Sequence, residues 1–432
     1  MTHSTSSVSY SPRHRWKVLA AGVAANAAFS VAVNGIPMTA VLMRTGYRLD
    51  NAMLGLVLGL MGLGIAISEL PWGLLTDRWG DRPVLLMGLG SMAVALVAMA
   101  LWAVPGGAHI PGLGWLGGGL LLVGLLGGSV NGASGRAVMT WFDDNERGLA
   151  MSVRQTAVPL GGGIGALVLP FVALHFGFAA LYGLLALLCA LGAAASWAWV
   201  HEPPVAPRSN KPVEAATAAK AGPLRDARVW RIAAGIGILC APQFAVLSFG
   251  TVFLHDFGHA GLAAITATMV LVQVGAMVMR VWSGRWTDRR RNRPAYLRAC
   301  SALSVGLFAG LALLVMAAGT HAADSAALRM ALVALLAASG VCVSAWHGVA
   351  YTELATLAGA ARAGTALGMA NTSVFLACFL TPLSIPHLLA LQGWPLVWLV
   401  ASACALVAMP LLVPRPAVAD QKLAKTALSR ST

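Results

Sequence analysis

Gly73-Leu-Leu-Thr-Asp77-Arg78-Trp-Gly80-Asp-Arg82-Pro83 returns 211 residues later as Gly284-Arg-Trp-Thr-Asp288-Arg289-Arg-Arg-Asn-Arg293-Pro294. Gly, Thr, Asp, two Arg and Pro recur in register within one short polar turn, and each copy follows the second apolar run of its half. A fixed-period internal repeat outranks local signals, so the chain reads as two tandem copies of one unit. The residue types suit a tight connection between helices. Glycine permits close approach or a sharp turn, aspartate complements a helix N-terminus, and arginine favours an anionic membrane surface.

Composition sets the solvent. Charged residues make up 10% of the chain and hydrophobic residues 58%, whereas a soluble domain carries about a quarter charged. The chain is therefore expected to sit in a lipid bilayer. A net charge of +14 could signal nucleic acid, but the basic residues fall in gaps between apolar runs, so no nucleic-acid partner is expected. Six cysteines, Cys189, Cys240, Cys300, Cys342, Cys378 and Cys404, lie in or beside apolar runs without metal-ligand spacing.

At about 20 residues per membrane span, candidates fall near 16–41, 50–74, 83–104, 113–141, 148–172 and 179–199, then 231–254, 261–284, 295–318, 326–351, 363–387 and 394–413. The expected organisation is an N-terminal tail (1–15), a six-helix bundle (16–199), a polar linker (200–230), a second six-helix bundle (231–413) and a basic tail (414–432). The first run is too long for a signal-peptide core. With both termini inside, 24 of the 29 Lys and Arg residues lie on the inner side, while outer loops hold Arg44, Arg48 and Arg329. Arg154 and Arg280 fall within spans.

Spans three, six, nine and twelve carry no Asn, Gln, His or charge in their interiors. The others do: Asn26 and Asn34 in span one, Glu69 in two, Asn131 and Arg136 in four, Arg154 and Gln155 in five, Gln243 in seven, Gln273 and Arg280 in eight, His347 in ten and Asn371 in eleven. Polar groups facing lipid go unsatisfied, so these should face protein or a wet cavity. A second register, offset by 216, aligns Gly132 with Gly348, Gln155 with Asn371 and Thr156 with Thr372. It pairs Asn131 with His347, and Arg154 with Ala370. Glycines at four-residue spacing (Gly55 and Gly59; Gly124, Gly128 and Gly132; Gly161 and Gly165) suit close helix packing.

The pattern G-x-x-x-D-R-x-G-x-R resembles the loop signature of the major facilitator superfamily. Gly73, Asp77, Arg78, Gly80 and Arg82 fit it; Gly284, Asp288, Arg289 and Arg293 repeat it, with Arg291 where glycine is expected. The resemblance implies an all-α membrane protein of about twelve helices in two pseudo-symmetric six-helix bundles, related as parallel repeats. It implies a monomer in a bacterial inner membrane that moves a small solute by alternating access, with H+ a candidate coupling ion. It also implies that spans one, four, seven and ten line the path, while two, five, eight and eleven form the seam.

Pro159-Leu-Gly161-Gly162 is similar to the proline-glycine motif of drug–proton antiporters, one residue short and with Val158 where glycine is expected. Proton-coupled efflux is thus an alternative to uptake, and a transporter-like sensor is the alternative of another class. No H-E-x-x-H, phosphate-binding loop or nucleophile elbow occurs, so no enzyme, cofactor or metal site is expected.

Candidate substrate-binding residues are Arg154, Asn34, Asn131, Gln243, His347 and Asn371. Interhelical hydrogen bonding competes with substrate contact for Asn34, and simple packing competes with it for His347. An interior leaning positive, with a guanidinium fork at Arg154, fits a small carboxylate; snorkelling of Arg154, or a tie to Asp143, Asp144 or Glu146, is the competing reading. The loop register also aligns Glu69 with Arg280, candidates for an ion-pair gate or for separate satisfaction. The topology is testable with an impermeant thiol reagent. Cysteines at Thr45 and Ala108 should label from outside sealed cells and those at Asp81 and Ala216 should not; the reverse pattern overturns the orientation.

Overall fold

The structure is a computed structural model. It describes Ser11 and residues 13–106, 110–142, 150–151, 153–201, 223–319, 325–358 and 363–413. The expected linker around Ala216, the C-terminal tail, most of the N-terminal tail, Ala108, Asp143, Asp144 and Glu146 lie outside the described residues.

Among the described residues, eleven helical runs are long and apolar enough to cross a bilayer: His14–Gly46, Asn51–Thr76, Asp81–Trp102, Leu113–Val138, Val153–Trp199, Ala227–Asp256, Leu262–Thr287, Arg293–Ala318, Ala326–Ala358, Thr365–Gln392 and Trp394–Leu412. The fifth has 47 residues. At 1.5 Å per residue it would extend about 70 Å, twice the hydrocarbon thickness. It is broken at Gly177, where φ is 79° and ψ 178°, a conformation that glycine tolerates. The run is thus spans five and six, and the described residues form a nearly all-helical architecture with twelve crossings.

Helix ends follow local chemistry. Asp50 accepts from the Met53 amide at 2.7 Å to start span two, and Asp226 accepts from the Arg228 amide at 2.9 Å to start span seven. Span two ends at Gly80 with φ 87°. At the matching position of the second copy, Arg291 also has a positive φ, 50°, but its ψ of 36° is left-handed helical where Gly80 has ψ 171°. Without its glycine the second copy turns through the left-handed helical region, which a side chain enters only at some strain, because the extended positive-φ conformation of Gly80 is essentially closed to it.

Gly73 and Gly284 do not act as close-approach residues, since a Cβ on either would meet no atom within 4 Å. Arg82 donates to the Trp197 carbonyl at 2.7 Å and lies over the Trp197 ring, so it ties the turn to span six rather than to lipid. Arg78 and Arg289 are exposed. The side chains of Asp77 and Asp288 are outside the description.

Span one ends beside the end of span seven, through Arg44 and Asp256, so these two spans run parallel. Their starts share one face with the end of span twelve, where Gly235 meets Leu411 and Leu412, here called the terminal face; the other is the distal face. Spans one and seven are the most enclosed, each 72% buried, whereas span eight is only 33% buried. Burial does not single out every third span. Span eight, at the expected seam, is as exposed as the spans expected to face lipid.

Backbone contacts bring the halves together. A Cβ on Gly59 would lie 2.8 Å from the Phe379 carbonyl oxygen, and one on Gly55 would collide with the Pro382 carbonyl. Span two therefore lies against span eleven with no side chain between them. Within the first half, Gly35 meets Gly165, Gly124 meets the Met61 carbonyl, and Gly161 meets Ala27 and Ser30. Gly132, expected to join this packing, faces open space.

Alanine at a free helical position gains about 0.5–1 kcal/mol over glycine, whereas overpacking a helix contact costs about 1–3 kcal/mol. Gly132→Ala should hold or raise the thermal midpoint of the purified protein, and Gly124→Ala should lower it. Equal midpoints would contradict the assigned contacts.

Candidate functional site

Two spans are interrupted at equivalent places. Span four stops at Gly127 and restarts at Ser129; span ten stops at Ser344 and restarts at His347. The offset of 216 makes Gly128 and Ser344 counterparts. A broken helix exposes carbonyls that need donors, and inside a membrane only protein can supply them. Trp72 Nε1 donates to the Leu125 carbonyl at 2.8 Å. In the second half, Arg280 Nε donates to the Ser344 carbonyl at 3.3 Å. Ser283 and Tyr296 hydroxyls donate to the Ala345 carbonyl at 3.2 and 3.3 Å.

The candidate residues gather around these breaks in three groups. Arg154, 3% exposed, donates from Nε to Ser134 Oγ at 3.0 Å and from Nη2 to the Asn131 carbonyl at 2.7 Å. Asn131 thus meets Arg154 through its backbone. Gly135 lies against the guanidinium, where a Cβ would make an ordinary contact 3.6 Å from Arg154 Cζ.

His347 stacks on Trp346 with ring centroids 4.0 Å apart, and its Nε2 lies 3.8 Å from Cys240 Sγ. The third group crosses between halves. Asn371 Nδ2 donates to Glu69 Oε1 at 3.1 Å, and Tyr351 donates its hydroxyl to Asn371 Oδ1 at 2.8 Å.

Other candidates lie apart. Asn34 lines a cavity of about 20 Å³ with Phe244, Leu247, Ser248 and Cys378, room for about one water and no solute. Asn26 is fully buried with neither side-chain atom bonded, and Gln243 is buried with Oε1 unbonded. Gln273 lies over Gly162 at the crossing of spans five and eight. A larger cavity, about 460 Å³, lies between spans seven, eleven and twelve and holds none of the candidates. Glu69 and Arg280 do not pair: span two packs on span eleven, so Glu69 meets Asn371 while Arg280 serves the break in span ten.

Sequence reasoning missed two features. Tyr351 was passed over because aromatic hydroxyls were not counted as polar span residues. At the distal face, Arg44 clamps Asp256 through both guanidinium ends at 2.5 Å and also donates to Asn51 at 3.2 Å. His255 contacts the same carboxylate at 2.7 Å. The loop register places Arg44 opposite His255 and Thr45 opposite Asp256, so an opposite-charge check at neighbouring repeat positions would have found the pair. Between described residues, this clamp and the Asn371–Glu69 bond are the hydrogen bonds that join the halves.

Twelve crossings in two matching halves, joined at the distal end and carrying buried polar residues at paired helix breaks, define a polytopic membrane transporter of the repeated-bundle kind. The chain belongs to the Major Facilitator Superfamily, whose model matches residues 20–322. It is 30% identical over 404 residues to an uncharacterized MFS-type transporter of Mycobacterium tuberculosis, covering 93% of this chain and 85% of that one. It is 23% identical over 175 residues to the hexuronate transporter of Bacillus subtilis, covering 40% of this chain and 39% of that one. Its fold is shared with a D-xylose-proton symporter at TM-score 0.71 and 15% identity, covering 92% and 98% of the two chains. The protein is a secondary transporter.

The clamp is part-exposed, which limits its strength to about 1 kcal/mol, roughly a fivefold shift in a two-state equilibrium. A cysteine at Ser248, buried beneath it, should react severalfold faster with a thiol reagent from the distal side when Asp256→Asn is added. Exchanging the pair (Arg44→Asp with Asp256→Arg) should restore protection; unchanged rates would leave the clamp without a role in closure.

Proposed function

We propose that this protein moves a small organic anion, a carboxylate, across a bacterial inner membrane by rocking its bundles (16–199 and 231–413) about a midplane site, with both termini cytoplasmic. The conformation described here is closed on the distal, periplasmic side. The observation that carries the reading is a pair of guanidiniums at matching depth in opposite halves, neither of which touches a carboxylate.

Gly162 and Gln273 mark where spans five and eight cross. Arg154 lies eight residues to the terminal side of that point and Arg280 seven, about 12 and 10 Å along the helices. No N–O contact within 4.0 Å joins either to an acid among the described residues. Arg154 Nη1 makes no hydrogen bond. Buried cations are costly without a partner, and a carboxylate offers a planar acceptor that matches the guanidinium fork. His347 and Tyr351, beside Arg280 in the second half, supply neutral polar contacts. The partial likeness to a hexuronate transporter agrees with an acidic solute.

Hydrogen bonds to charged groups contribute about 1.5–3 kcal/mol, about 10- to 100-fold in affinity. A thermal-shift screen of purified protein against small carboxylates, followed by uptake into proteoliposomes, tests the reading. Arg154→Lys should weaken affinity within that range, and Arg154→Ala and Arg280→Ala should abolish uptake at normal membrane levels. A cationic substrate, or near-normal affinity in all three variants, overturns it.

A further inference from the structure

Glu69 is 8% exposed, and its carboxyl group meets a single partner, the neutral amide of Asn371. The second oxygen, Oε2, is buried without any hydrogen bond. No nitrogen of Lys, Arg or His comes within 4.0 Å of either oxygen among the described residues.

The charged groups of the spans packed nearby, and Tyr351, have partners of their own among the described residues. From span five, the Arg154 guanidinium is held by Ser134 and Asn131. From span four, Arg136 donates to the Thr76 carbonyl and to Asp81. From span ten, Tyr351 donates to Asn371. From span eight, Arg280 serves the Ser344 carbonyl. Arg44 is at the distal end, bound to Asp256.

We propose that Glu69 is a proton-binding site at the contact between the halves, carrying its proton in the conformation described here and losing it when spans two and eleven part. A carboxylate stripped of water and given one neutral hydrogen bond is strongly disfavoured, and a proton removes that cost. Asn371 presents its NH2 end, with Oδ1 held by Tyr351, a bond that a neutral carboxyl accepts through its carbonyl oxygen. The contact is also conformational, because Asn371 belongs to the opposite half from Glu69. Once the glycine-lined seam opens, water or Arg154 can reach Oε2, and the carboxyl can ionise. The sign follows: a proton bound more tightly in this conformation stabilises it at low pH, and that stabilisation fades as pH rises through the titration of Glu69. The inference is independent of the solute carried.

The test uses the full-length protein reconstituted in lipid, with the proton as ligand. Infrared difference spectra across a pH titration should contain a protonated-carboxyl carbonyl band that is missing from Glu69→Gln and shifted in Asn371→Leu. As a second measurement, Cys378, which lies against Gly62 at the seam, is kept as the sole cysteine and alkylated with a membrane-permeant reagent. Its protection should fall with rising pH more steeply in the otherwise native protein than in Glu69→Gln, in which the neutral side chain holds the seam. Identical infrared titrations, or identical alkylation profiles, in the native and Gln forms would overturn the proposal.

Discussion

A polypeptide crossing hydrocarbon has to satisfy its backbone hydrogen bonds from within the protein, and the rest of this structure follows from where that requirement is met by side chains. Along most of each span the helix satisfies itself. At Gly128 in span four and at Ala345–Trp346 in span ten the helix stops and restarts, and donors from neighbouring spans cover the carbonyls. Trp72 serves one break; Arg280, Ser283 and Tyr296 serve the other. Polar side chains are thereby collected at the breaks, and the candidate site is built where the fold already requires polarity.

The repeat gives the two halves one backbone plan, while function lies in their differences. Gly80 and Arg291 both turn the chain with positive φ, but at ψ 171° and 36°, so the two copies make the same connection through different backbone conformations. Charges do not repeat. Arg154 faces Ala370 in register, Glu69 faces Arg280, and Arg44 faces His255. Similar scaffolds permit equivalent movements of the halves, and unequal charges give the space between them a direction and an electrostatic preference.

The halves are held by contacts that can separate without breaking a core. Span two meets span eleven backbone to backbone at Gly55, Gly59 and Gly62, a dispersion contact with little interlocking of side chains. Polar links sit at two depths: the Arg44–Asp256 clamp at the distal end and Glu69–Asn371 deeper in the seam. One is a charge pair near water. The other is a buried carboxyl with one neutral partner, whose cost depends on its proton.

Composition and the turn at Gly73–Pro83 determined the membrane setting, the twelve crossings and the two-fold repeat, because hydrophobic length and a duplicated motif are written along the chain. Even the division of the 47-residue helix at Gly177 falls in the gap that span length requires. The tertiary structure decided which polar residues share a neighbourhood. Periodicity marked Asn34, Gln243, Arg154 and Asn371 alike as residues that should avoid lipid, yet Asn34 lines a water-sized cavity, Arg154 binds span four and Asn371 bridges to Glu69. The sequence carries the phase of a helix but not which neighbour it turns toward. Partners 302 residues apart, such as Glu69 and Asn371, are chosen by how spans cross, and that is set by the small-residue surfaces of both helices together.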